Sequence, residues 1–132
     1  MSGNASMKQV VFLTPEEGVR MNRDRLSELS RRFGDSGAED VIARAAEALV
    51  LRMGKCQRLY QIGARAEMRR NLRSQIVISE RIGMVSLAEA ADNVLLCLDR
   101  DDPAALAATM ARLLRIGERS VSELWELQDL SV

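Results

Sequence analysis

The chain has 132 residues, 47% of them hydrophobic and 29% charged, and its 19 basic and 19 acidic side chains cancel to a net charge of +0. That length suits one domain able to bury a core without disulfides or metals, and the neutral total argues against general binding to nucleic acid or to an anionic membrane. Aromatic residues are only 3%, so the core falls to Leu, Ile, Val, Met and Ala, a set that favours helices.

Residues 1–13 read as a flexible N-terminal arm whose apolar run, Val10 to Leu13, either packs on the body or on a second copy or frays as a chain end. Residues 14–132 read as a single helical bundle domain. Thr14-Pro15-Glu16-Glu17 has the form of an N-cap with a proline at the first helical position. Val19, Leu26, Leu29 and Phe33 follow at helical spacing, and Gly34 ends this first helix. Ser36 with Glu39 opens a longer helix with Val41, Ile42, Ala45, Leu49, Met53 and Leu59 on its apolar face, interrupted at Gly63.

A third helix is predicted from about Arg65 to Ile82, with Met68, Leu72, Ile76 and Ser79 inward and a break at Gly83. A fourth spans about Ser86 to Leu98 on Leu87, Ala91, Leu95 and Leu98. Asp102-Pro103 starts the last, whose seam runs Leu106, Met110, Leu113, Gly117, Val121, Leu124 and Gln128. Short connections favour antiparallel neighbours. The expected fold is all-α: an antiparallel up-and-down four-helix bundle with an additional N-terminal helix packed across it.

Nothing in the pattern reads as an enzyme. The sequence contains no histidine, so the usual zinc sets reduce to thiolates and carboxylates, and Cys56 and Cys97 lack C-x-x-C spacing. No serine or cysteine is coupled to a base, and no glycine-rich phosphate loop or EF-hand pattern is present. No cofactor is expected. No apolar run reaches membrane-spanning length and no signal peptide is visible, which makes the cytoplasm the expected location.

The stretch from Arg69 to Ala108 resembles the histidine phosphotransfer (HPt) domain of bacterial phosphorelays. Arg73-Ser74-Gln75-Ile76-Val77 leads to Ser79, Ile82 and Gly83. Leu87-Ala88-Glu89-Ala90-Ala91, the polar turn Leu98-Asp99-Arg100-Asp101-Asp102 and a long helix follow. Gly37 to Gly63 matches more loosely. Counting back from Gly83, the family's phosphorylated histidine falls on Arg73, and a shift of two residues would put it on Asn71. The family's lysine falls on Ile76 and its small glycine on Val77. The resemblance therefore implies the four-helix fold without the phosphoryl acceptor.

Arg65, Arg69 and Arg73, with Arg70 beside them, form a stripe at steps of four. One reading is a solvated face, partly relieved by Glu67 or Glu80 and by neighbouring helices. The functional reading, drawn from the resemblance, is that Arg73 and its neighbours dock the acidic pocket of a receiver domain, or a histidine kinase, as a decoy, inhibitor or scaffold. Val77 would add an apolar contact on the same side. Nucleic-acid phosphate is the weaker match for the stripe, since no aromatics interleave with it. Trp125 and Leu114 lie off the last helix's seam and are expected against the first helix or, in a homodimer, against a second chain. The remaining readings are a structural homodimerising bundle unrelated to phosphorelays and a small helical enzyme.

Overall fold

The computed structural model describes residues 18–130, with side chains through Leu127. The arm at residues 1–13, the Thr14–Glu17 cap and the Gln128 side chain lie outside the described residues. Four helices account for nearly all of the rest: α1 (Arg23–Ile62), α2 (Arg65–Arg81), α3 (Val85–Arg100) and α4 (Pro103–Leu130). Among the described residues there is no strand, only an isolated antiparallel bridge between Met21 and Met84. No helix of the described residues is long and apolar enough to cross a membrane.

Local chemistry sets the helix ends. Asn22 caps α1, its Oδ1 accepting from Arg25 N at 3.1 Å, and Gly63 closes the same helix in the left-handed region at φ 73. Asp102 caps α4, accepting from Ala105 N at 3.0 Å. The break expected at Gly34 is present in the backbone. Gly34 sits at φ 77, ψ 166, a conformation open essentially to glycine alone, so the helical backbone is interrupted there and α1 is two helical pieces joined across a kink. The Ser36 side chain makes no hydrogen bond with a described residue, so the second capping box does not form as expected. The leading segment starts later than predicted, because Gly18 to Asn22 are held outside the helix. Asn22 N donates to Gly83 O at 2.7 Å and Arg20 N to Ser86 Oγ at 2.7 Å. An Arg20–Glu89 ion pair completes this strap over the α2–α3 corner.

Each helix packs on its two neighbours in a closed ring: α1 on α2 and α4, α2 on α3, and α3 on α4. The core follows one rule on α2, α3 and α4. Buried positions alternate steps of four and three: Met68, Leu72, Gln75 and Ser79 on α2; Leu87, Ala91, Val94 and Leu98 on α3; Leu106, Met110, Leu113, Gly117, Ser120 and Leu124 on α4. This is the 3.5-residue seam of bundle packing. Uniform steps of four drift off it, which is why Gln75 takes the central place expected for Ile76, Val94 that of Leu95, and Ser120 that of Val121. The displaced residues are half-buried against the flank of the core. On α1 the seam is Ala46, Leu49, Met53, Cys56 and Leu59, with Val41, Ile42 and Ala45 at its edge. At roughly 1.5–3 kcal/mol per fully buried large aliphatic side chain, before entropy, this burial stabilises the ring.

Candidate interaction surface

The arginine stripe does not stay on one face. Four residues of α-helix turn about 400°, so each step of four rotates by about 40°, and three steps from Arg65 to Val77 rotate by about 120°. The structure divides the stripe accordingly. Arg65, nearest the core side, reaches the α3–α4 corner, where its Nη2 donates to Leu98 O and lies 3.5 Å from Asp101 Oδ1. Arg69 Nε donates to Asp99 Oδ1 at 2.7 Å. Both are tied to the end of α3 and its following turn while their side chains stay partly exposed.

Arg70, Arg73 and Val77 form the outer crest of α2. Arg73 makes no hydrogen bond or ion pair with a described residue, and Val77 is 52% exposed. Glu67 and Glu80, expected to relieve the stripe, form no ion pair with it. Arg70 turns toward α1 and lines a shallow groove of about 450 Å³ with Arg52, Lys55 and Asn71. Beneath that groove runs a polar relay. Gln75 Nε2 donates to Asn71 Oδ1 at 2.7 Å, Asn71 Nδ2 to Arg52 O at 3.1 Å, and Arg52 Nε to Ser74 Oγ at 2.7 Å. These bonds fix the α1–α2 spacing below the crest.

Val77 has a second environment. The leading segment of α1, bent at Gly34, forms with the end of α2 a groove of about 660 Å³. Leu29, Phe33, Val41 and Val77 supply its apolar lining, and Arg25, Arg32, Glu80 and Arg81 its charges. Phe33, expected inside the first helix's core stripe, is 47% exposed, because the bend turns its ring toward this groove rather than the bundle centre. Arg32 stacks over that ring, 5.3 Å from its centroid. Arg81 continues the Arg73–Val77 row by one more step of four, a spacing visible in the sequence. Arg25, Arg32 and Phe33 carried no such signal, since only the bend at Gly34 brings them to α2.

The other singled-out residues are structural or lie elsewhere. Met53, Met68, Met84 and Met110 are buried, Met21 packs on the core, and Leu114 does likewise. Trp125 does not pack into the core against the leading segment: it is 42% exposed on α4. Cys56 is buried against Gln75, and burial pushes its thiol up to about 11, the Gln75 hydrogen bond opposing only part of that shift. A thiol so held is protonated at neutral pH and a poor nucleophile. Among the described residues no three Cys, Asp or Glu side chains converge as a metal set. Comparison of the chain with protein-family models, with curated proteins and with solved structures finds no match.

Proposed function

We propose that this chain is a non-catalytic protein–protein interaction module, an antiparallel up-and-down bundle of phosphotransfer type in which the helical segment ahead of Gly34 serves as the additional N-terminal helix. It docks the acidic face of a receiver domain or of a sensor kinase in a bacterial two-component pathway, in the cytoplasm, without transferring a phosphoryl group. One observation carries the reading. Arg73 stands at the position where the HPt resemblance puts the histidine, uncommitted to any described residue, beside the exposed Val77. An unpaired guanidinium next to an apolar side chain suits a partner that brings carboxylates to a partly dry contact. The chain has no histidine to accept a phosphoryl group, so binding would occupy the partner's acidic pocket and withhold it from an active donor.

The test is retention of receiver domains and sensor kinases from the native cell extract on immobilised protein, identified by mass spectrometry. Wild type is expected to hold such a partner and Arg70→Glu/Arg73→Glu to release it. Equal retention by both proteins sinks the reading.

A second reading rests on Trp125, whose exposure on α4 suits a contact with a second copy. A concentration-dependent dimer that Trp125→Ala converts to monomer, with no receiver or kinase bound, would favour a structural homodimer.

A further inference from the structure

The groove beside Val77 has features that a merely solvated surface does not need. Its walls are two helical rows, Leu29 and Phe33 at a step of four on the leading segment of α1 and Val77 and Arg81 at a step of four on α2. Two ridges of this kind leave a channel shaped for a third helix, whose own side chains interdigitate with both rows. The floor is apolar: Phe33 and Val77 are about half exposed, and Leu29 closes the bottom at 7%. The groove stands open because α1 bends at Gly34.

The rim is basic. Three guanidinium groups and one carboxylate line the groove, and with Glu28 neutralising Arg25 one positive charge is left in excess. Arg25 is engaged with Glu28 at 2.9 Å. Arg32 and Arg81 have no carboxylate partner among the described residues, in a chain whose total charge is +0. Cations gathered around an apolar floor repel one another, and the repulsion is relieved by an occupant that is apolar on one face and anionic on its flanks.

We propose that this groove anchors an acidic amphipathic helix of a protein partner, with apolar side chains seated over Leu29, Phe33 and Val77 and flanking carboxylates on Arg32 and Arg81. The proposal deepens the interaction-module reading and rests on it; it shares Val77 with the crest but is otherwise built from different residues. The crest supplies two charges, whereas the groove supplies the apolar anchor on which the affinity of such an interface depends.

The probe is a side-chain-stapled amphipathic helix of about 18 residues, long enough to hold its shape in water, carrying a leucine stripe flanked by glutamates. Its counterpart carries lysines in their place. Both are titrated by fluorescence anisotropy against the full chain. The acidic helix is expected to bind at least about tenfold more tightly than the basic one. Arg32→Glu/Arg81→Glu should weaken it by about tenfold, the scale of two reversed rim charges. Phe33→Ala, an exposed position whose replacement leaves the bundle intact by circular dichroism, should weaken both helices. Equal binding of the two helices, or titrations unmoved by the groove variants, overturns the proposal. So does a sedimentation result in which Phe33→Ala converts a dimer to monomer, since a second copy would then fill the groove. A receiver lost by Arg70→Glu/Arg73→Glu but kept by the groove variants also overturns it while leaving the broader reading in place. Groove-dependent binding of the acidic helix with no receiver or kinase retained supports the groove and removes the receiver.

Discussion

Arg69 Nε donates to Asp99 Oδ1 at 2.7 Å, tying the second turn of α2 to the last turn of α3. The bond decides which arginines are available. Arg69 and Arg65 serve the bundle's own corner, and the free end of the stripe begins at Arg73. Because both partners remain partly exposed, the pair stabilises the fold by no more than about 1 kcal/mol. Arg69→Ala is therefore expected to lower stability in urea by that amount at most and to leave partner binding unchanged, while Arg73→Ala should do the opposite. Comparable binding losses in the two variants would mean that the corner arginines also face the partner.

Gly83 tolerates a side chain poorly. It lies at φ +75, and a Cβ there would meet Asn22 O at 2.8 Å, the backbone of the strap that bonds back to Gly83. Gly63, at φ +73, has open space around it. Gly63→Ala should cost about 1 kcal/mol, the conformational penalty alone. Gly83→Ala should cost about 2 kcal/mol or more and speed hydrogen exchange at the Asn22 amide as the strap lifts. Equal costs at the two glycines would show that the strap does not constrain the corner.

Cys56 makes stability depend on alkaline pH. Its pKa rises from 9.0 to about 11 on folding, so the folded state holds the proton more tightly than the unfolded chain does. The associated stability is full below pH 9 and is lost as pH climbs toward 11, by an amount on the order of 2 kcal/mol. Thermal unfolding of Cys56→Ala, whatever its starting stability, should fall less steeply than wild type between those limits. Parallel slopes would mean that the thiol ionises as readily inside the fold as outside it.

Ser79 Oγ is buried with no hydrogen-bond partner among the described residues. An unpaired buried hydroxyl carries a desolvation cost that a methyl group does not. Ser79→Ala is expected to leave stability unchanged or raise it by up to about 1 kcal/mol in urea denaturation. A loss larger than that would reveal a partner for the hydroxyl.

Most of the helical framework was legible along the chain. Gly63, Gly83 and Asp102-Pro103 mark three breaks within a residue or two of where they fall, because a left-handed turn or a missing amide acts locally. The inward faces were legible only to within one position. Ile76 looks like a better core residue than Gln75, yet the bundle buries Gln75, whose amide bonds to Asn71. Two helices meeting along a common axis select the 3.5-residue period even where it buries polar groups: Gln75 Nε2 bonds to Asn71, while Gln75 Oε1 and Ser79 Oγ have no hydrogen-bond partner among the described residues.

The sequence by itself determined an aliphatic all-helical domain, the residues that end its helices and the absence of histidine from its chemistry. It also determined that α2 carries a row of arginines, since spacing along one helix is a local property. Tertiary structure alone decided which of them are spent and which are free. Asp99 and Asp101 meet Arg69 and Arg65 only because α3 packs on α2. Phe33, Arg32 and Arg81 share a groove only because α1 bends at Gly34 and brings its first turns back to the end of α2. Pairing across helices depends on rotation, crossing and register, which no single helix specifies.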